Sequence, residues 1–393
     1  MIVKEKIEQA KNILKEFNID CWITFVRESQ INGDPSLIFL TNSAVTWHSA
    51  FIISKTGKTY AVVGKYDAAT VKELGVYDVV EDFVTSFKKP LSDILWKMNP
   101  MEIAVNYSEG SEICDGITHG MFLTLQNMLK EMKMENRIIS SEKIVSALRE
   151  RKSKTEIDYM KEAIRHTLEI YDIAAKFIRP GQTEKEIAGY MTKELKRRGL
   201  EPAWEESVCP SVFTGPIEAE AHYNPTDRVV QKGHVLNMDF GVKVNGYCSD
   251  LQRTFYILAD GESEPPEDVM KGFNTIVNSI EASKNAMKPG VKGIEIDSVA
   301  REFITSAGYA EFPHALGHQV GRFSHDGTAL LGPAWEKYAD KPFKKLEEGM
   351  VFTIEPRLTV AGKGVATIEE MVLITTDGCE WLSKPQKELV IIR

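Results

Sequence analysis

Four carboxylates and one histidine carry the strongest chemical signal in this 393-residue chain: Asp239, Asp250, Glu355, Glu369 and His318. The acids lie in two segments that resemble each other, GHVLNMDFGVKVNGYCSD (233–250) and GMVFTIEPRL with ATIEEMVLIT (349–358 and 366–375). In each, an acid stands six residues after a glycine, Gly233 to Asp239 and Gly349 to Glu355, and ends an apolar strand-like run. A solvated carboxylate is not expected there. Four carboxylates brought together without counter-charge would raise one another's pKa, and two divalent cations would balance them. Oxygen-rich ligation with a single imidazole suits Mn²⁺, Co²⁺, Fe²⁺ or Zn²⁺ better than a structural zinc site. Two such ions about 3.5–4 Å apart can hold a bridging hydroxide and polarise a carbonyl. That is chemistry for hydrolysing an amide.

The segment FPHALGHQVGRFSHDG (312–327) holds three of the eight histidines, His314, His318 and His325. Their clustering between glycines argues for a site. His314 and His318 have the spacing of a helical zinc motif, but no Glu follows the first His, and Pro313 and Gly317 disfavour a helix. That reading is rejected.

These residues need strands to carry them. Asn245-Gly246 is a strong two-residue hairpin signal. The register it sets places Asp250 opposite Gly241 and Asp239 diagonally on the same face. Glu355 and Glu369 are expected to repeat the arrangement across a longer connection through AGKGVA. A helix opening after Pro180-Gly181 with a Thr183–Glu186 capping box, and closing at Gly199, has a counterpart from Pro289-Gly290 to Gly308. A long helical pattern precedes each, over 157–177 and about 267–286. An internal duplication of roughly 110 residues follows, with a site at the shared centre.

The N-terminal part contains strand-like runs at 21–26, 50–55, 59–64 and 102–107 among helical patterns, one around Thr124 to Met132, and reads as an α/β layered domain. The charged stretch 147–157 marks a boundary, giving domains over 1–150 and 151–393. The first helix buries Ile7, Ala10, Ile13, Leu14 and Phe17 on one face and is not a signal peptide. No run is long and apolar enough to cross a bilayer. A net charge of −9 leaves no basic surface for nucleic acid. Five cysteines, scattered and without a CxxC pair, fit a reducing compartment, and the cytoplasm is the expected location. His48 and His119 are read as structural or surface residues, His166 and His234 as solvent-facing, and Cys248 as core packing. Trp204 suits either the cleft or the core. The lone Gly362-Lys363-Gly364 does not indicate phosphate binding.

The order and spacing of these acids and of His318 resemble the pita-bread metallopeptidases: prolidase, aminopeptidase P and, more distantly, methionine aminopeptidase and creatinase. The resemblance covers nearly the whole chain. It implies a creatinase/prolidase-like N-terminal α/β domain followed by an α+β pita-bread domain with pseudo-two-fold internal duplication. It implies two divalent ions, Mn²⁺ or Co²⁺ first and Zn²⁺ or Fe²⁺ as alternatives. Asp239 and Asp250 would hold one metal, His318 and Glu355 would complete the shell of the other, and Asp250 and Glu369 would bridge. Glu355 would also shuttle the proton from the bridging water. His222, in EAHYNP, would contact substrate, and His314 and His325 would position it and stabilise the tetrahedral intermediate. The implied substrates are short Xaa-Pro peptides, cleaved as by an aminopeptidase or a dipeptidase, and relatives often form homodimers. The chain departs from the family pattern at Thr367, where an Arg is usual, at Gln319, where GHG is usual, and at Asp326, where the usual His-Glu reads His325-Asp326, followed by Gly327. Alternative readings are a same-fold enzyme acting on a small osmolyte, as hydrolase or lyase, and a non-catalytic binding relative. The retained ligand set argues against the latter and against a creatinase-like, metal-free site.

Overall fold

Strands that are buried on both faces need apolar side chains at nearly every position. The central strand Cys21–Val26 (CWITFV) is such a case. Trp22 and Val26 join one apolar cluster, and Cys21, Ile23 and Phe25 another. The computed structural model describes residues 2–216 and 223–393. By internal contacts the chain divides into two units, Met1–Arg149 and Glu150–Arg393.

The first unit runs α1 (Ile2–Glu16), β1 (Cys21–Val26), β2 (Ser49–Ser54), β3 (Thr59–Gly64), α2 (Ala68–Glu73), β4 (Val79–Phe83), α3 (Lys88–Met98), β5 (Ile103–Val105), α4 (His119–Glu131), β6 (Ile138–Ser140) and α5 (Glu142–Glu150). The sheet order is β4-β3-β2-β1-β5-β6. Pairs β1–β2 and β2–β3 are antiparallel, and β3–β4, β1–β5 and β5–β6 are parallel. Residues of α1 and α5 cover one face, through Ile7, Ala10, Leu14 and Leu148. Those of α3 and α4 cover the other, through Leu91, Leu95, Leu125 and Leu129. Each such buried Leu or Ile side chain contributes about 1.5–3 kcal/mol.

The second unit runs α6 (Lys154–Phe177), α7 (Glu184–Arg197), β7 (Glu201–Pro202), β8 (Ser211–Thr214), β9 (Val235–Phe240), β10 (Val242–Val244), β11 (Tyr247–Cys248), β12 (Leu251–Ile257), α8 (Glu267–Ala286), α9 (Gly293–Ser306), β13 (Gly317–His318), β14 (Leu330–Leu331), β15 (Val351–Ile354), β16 (Arg357–Val360), β17 (Gly364–Thr367), β18 (Glu370–Ile374), β19 (Cys379–Trp381) and β20 (Val390–Ile392). Helix α6 starts three residues before the expected 157, because Ser153 and Glu156 form a capping box. Thr183 and Glu186 cap α7 as their spacing predicts. Helix α9 has no hydroxyl cap, and Glu295 instead accepts the Lys292 N–H at 2.7 Å.

Two strand systems, β20-β12-β9-β8 and β15-β18-β19, hold the acids. They join through a single-residue antiparallel bridge between Gln252 and Glu369. Helices α6 and α7 pack on one core, with Leu236, Met238 and Phe240 of β9. Helices α8 and α9 pack on a second, with Phe352 and Ile354 of β15. The order helix, helix, antiparallel pair thus occurs twice.

Candidate metal centre

Alternation along β9 sends Leu236, Met238 and Phe240 into the first core, so Asn237 and Asp239 take the opposite side of the strand. Asn245 and Gly246 have φ of 50° and 79°, as a tight hairpin turn requires. The ladder pairs Leu251 with Phe240 and Gln252 with Asp239, and beyond the break Lys243 with Cys248. This one register sets Asp250 opposite Gly241, with Asp239 diagonal to it. The second hairpin differs from the expected repeat. Ile354 pairs with Glu370, and Arg357 with Thr367, so Glu355 stands directly opposite Glu369. Its connection is longer, with Glu369 14 positions after Glu355 against 11 positions from Asp239 to Asp250, which shifts the pairing.

The acids converge with His318. Asp250, His318 and Glu369 each offer one ligand atom, and the three lie within 4.8 Å of one another. His318 Nε2 is 3.3 Å from Glu355 Oε1, 3.9 Å from Asp250 Oδ2 and 4.0 Å from Glu369 Oε1. Asp239 Oδ1 and Glu369 Oε2 are buried without a hydrogen-bond partner among the described residues. Orphaned carboxylate oxygens are costly unless something positive meets them. Burial pushes Asp239 well above the usual carboxylate range, and the Glu355 charge adds to it. Asp250 is raised by burial and by Asp239 and Glu355, and Glu369 by burial and the other three acids. Burial would also raise Glu355, but its hydrogen bond to His318 and the nearby His314 and His325 outweigh that and hold it below its ordinary value. A crowded, oxygen-rich cluster with unmet lone pairs and one imidazole fits divalent cations.

The His318 ring is oriented from its backbone side. Nδ1 lies 3.4 Å from the Gln319 carbonyl, and the His318 N–H donates to Thr353 Oγ1 at 3.1 Å. Gly317 allows this approach, since a β-carbon there would meet the Thr353 carbonyl at 2.1 Å. The carbonyl beside Nδ1 turns the ring so that Nε2 faces the acids. His314 is held likewise, with Nδ1 2.8 Å from the Ala315 carbonyl. Its loop is clamped from α9. Arg301 pairs with Asp297 at 2.5 Å, donates to the Phe312 carbonyl at 2.7 Å and also to that of His314. Asp297 accepts Leu316 N–H at 3.0 Å, and the Tyr338 hydroxyl accepts Ala315 N–H at 3.0 Å. The His325 ring packs edge-on against His318, with centroids 4.1 Å apart. His222 lies outside the described residues.

Several residues at this centre have no signal in the sequence. Gln252 reaches Glu355 Oε2 at 3.2 Å, and Thr353 Oγ1 donates to Glu355 Oε1 at 3.3 Å. A buried ion pair, Arg253–Glu370 at 3.0 Å, backs the acids, and Arg253 also donates to the Glu369 carbonyl. Thr367 is buried and donates to Gln252 Oε1 at 3.3 Å. Gln319 fills the space that Gly327 leaves open. Cys248 lies in the core with Sγ near the Ala203 and Arg322 carbonyls, and Trp204 packs on the same core. Neither His166 nor His234 is fully solvent-facing. His166 is half-buried beside Arg165 and Arg198, and His234 is half-buried against Gly215.

The architecture has counterparts among known proteins. Solved structures with the same fold include X-Pro aminopeptidase from Thermotoga maritima (TM-score 0.72, 26% identity, covering 98% of this chain and 99% of that one). Dipeptidase PepE from Mycobacterium ulcerans matches in fold at TM-score 0.74 and 23% identity, over 99% and 98% of the two chains. In sequence, the provisionally named dipeptidase YkvY of Bacillus subtilis is 32% identical over 271 residues, 69% of this chain and 70% of that protein. The model of metallopeptidase family M24 matches residues 158–376, which contain both hairpins and the histidine segment. The chain belongs to metallopeptidase family M24.

Proposed function

We propose that this metallopeptidase is a dinuclear hydrolase of Xaa-Pro peptides, of the aminopeptidase P or prolidase type. The observation that carries the reading is the meeting of Asp250, His318 and Glu369 within 4.8 Å, beside orphaned oxygens of Asp239 and Glu369. Asp239, Asp250, His318, Glu355 and Glu369 would hold two divalent ions, Mn²⁺ or Co²⁺ in the first place. When bound, such ions activate a water at neutral pH and polarise the scissile carbonyl.

The chain's own residues do the rest. Glu355, kept ionised by its histidine neighbours, accepts the proton of the attacking water. His314 commits Nδ1 to the Ala315 carbonyl and keeps Nε2 for substrate. His325, against the His318 ring, and His222 complete the substrate contacts and stabilise developing oxyanion charge. Residues 151–393 form the catalytic domain in this reading, and the repeated helix–helix–hairpin order descends from an internal duplication. Relatives named for action on Xaa-Pro bonds support the substrate class, as with the Thermotoga maritima aminopeptidase.

The test is a digest with Mn²⁺ or Co²⁺ present, comparing Xaa-Pro dipeptides with longer Xaa-Pro peptides. Cleavage of dipeptides alone assigns the prolidase type. Release of the first residue from longer chains assigns the aminopeptidase type. No turnover of either, with metal bound, sinks the Xaa-Pro reading and favours a non-peptide substrate.

A further inference from the structure

The four acids belong to two hairpins, and the uncharged side chain of Gln252 reaches from the first to an acid of the second. Gln252 stands across from Asp239 in the β9–β12 ladder. Its backbone makes both hydrogen bonds of the bridge to Glu369, at 3.4 and 3.2 Å. Its amide donates from Nε2 to Glu355 Oε2 at 3.2 Å and accepts from Thr367 Oγ1 at 3.3 Å. Chemistry dictates that orientation. An ionised carboxylate only accepts, so Nε2 must face Glu355 and Oε1 must face the hydroxyl.

Thr367 is pinned from behind. Its carbonyl accepts from Asn237 Nδ2 and from Thr254 Oγ1, each at 2.6 Å, and its N–H donates to Thr254 Oγ1 at 3.2 Å. The hydroxyl is thereby aimed at Gln252. The other oxygen of Glu355 has its own donor, Thr353 Oγ1 at 3.3 Å. With a separate partner on each oxygen, the carboxylate plane is set.

We propose that Gln252 is a positioning residue that fixes the rotation of the Glu355 carboxylate, and that Thr367 acts through Gln252 rather than on substrate. This rests on the reading of Glu355 as a metal ligand. Partners that orient a ligand are typically worth about 10–100-fold in metal affinity.

The test is calorimetric titration of metal-free protein with Mn²⁺, on wild type, Gln252→Met, Thr367→Val, Thr367→Ser and the Gln252→Met/Thr367→Val double variant. Gln252→Met should weaken Mn²⁺ binding by about 10–100-fold. Thr367→Val, losing one neutral hydrogen bond, should weaken it by about 2–10-fold, and Thr367→Ser should match wild type. In the double variant the threonine change should add nothing. Wild-type affinity in Gln252→Met, or an undiminished threonine effect in the double variant, overturns the proposal. If metal-free melting shows Gln252→Met to be unfolded, the Thr367→Val and Thr367→Ser pair decides, and equal affinity in these two overturns it. A wild type that takes up no divalent ion instead overturns the metal reading, so the two failures are distinct.

Discussion

Gln319 and Gly327 share one space: a β-carbon added at Gly327 would lie 2.3 Å from Gln319 Nε2 and 2.7 Å from its Cβ. The residue before Gly327 meets Gln319 through the backbone as well, with Asp326 N–H donating to the Gln319 carbonyl at 2.9 Å. Two of the three departures from the family pattern are therefore a single packing arrangement behind His318 and His325. Gly327→Ala should destabilise by about 1–3 kcal/mol through overpacking, measured by urea denaturation. In a Gln319→Gly background the same change should cost little. Additive losses would show that the two residues do not fill each other's space.

Chelation should remove hydrolysis, and Mn²⁺ or Co²⁺ should restore it. Asp250→Ala should lose metal and activity together, read by elemental analysis of the purified variant alongside turnover. A variant that stays active without metal would show that Asp250 is not a ligand.

His314 is expected to act on substrate and not on metal. His314→Ala should lower kcat by about 10²–10³-fold with metal content unchanged. Tyr338→Phe removes only the hydroxyl that receives Ala315 N–H, and should give a smaller loss of kcat with little change in stability. Equal activity of His314→Ala and wild type on all peptides would remove His314 from the site.

The Arg253–Glu370 pair is buried on both sides. Ser383 Oγ and Gln386 N–H also donate to Glu370, at 2.5 and 2.8 Å. Arg253→Met leaves the carboxylate buried without its charge partner and should cost about 3–5 kcal/mol, seen as a lowered midpoint in guanidinium. Loss of less than about 1 kcal/mol would mean that the pair is replaceable.

Asp239 and Glu355 were legible because each ends an apolar run six residues after a glycine, where a carboxylate has no ordinary reason to sit. The first hairpin's register was legible from Asn245-Gly246, since few turns join two strands so tightly. The second was not, because Gly362-Lys363-Gly364 lies in a longer connection whose pairing is set by contacts with β9 and α8. Gln252 was invisible for a different reason. An amide in a strand matches the ordinary polar alternation, and its role comes from Glu355 and Thr367, more than a hundred residues away. Asp297 and Arg301 read as a common i,i+4 helical pair, and nothing local shows that Arg301 also donates to loop carbonyls and that Asp297 accepts a loop N–H. In the first unit, β4 and β6 escaped notice because VVEDF is only half-buried and IIS has three residues.

The bridge between Gln252 and Glu369 has one residue on each side and no longer ladder to hold it closed against four repelling acids. Its two amide protons are therefore a built-in gauge of charge at the centre. With cations drawing the hairpins together they should exchange slowly with solvent deuterium. Once the cations are stripped they should exchange quickly, while the other amides of β9 and β12 stay protected. Site occupancy would then be visible in exchange rates, with no substrate present.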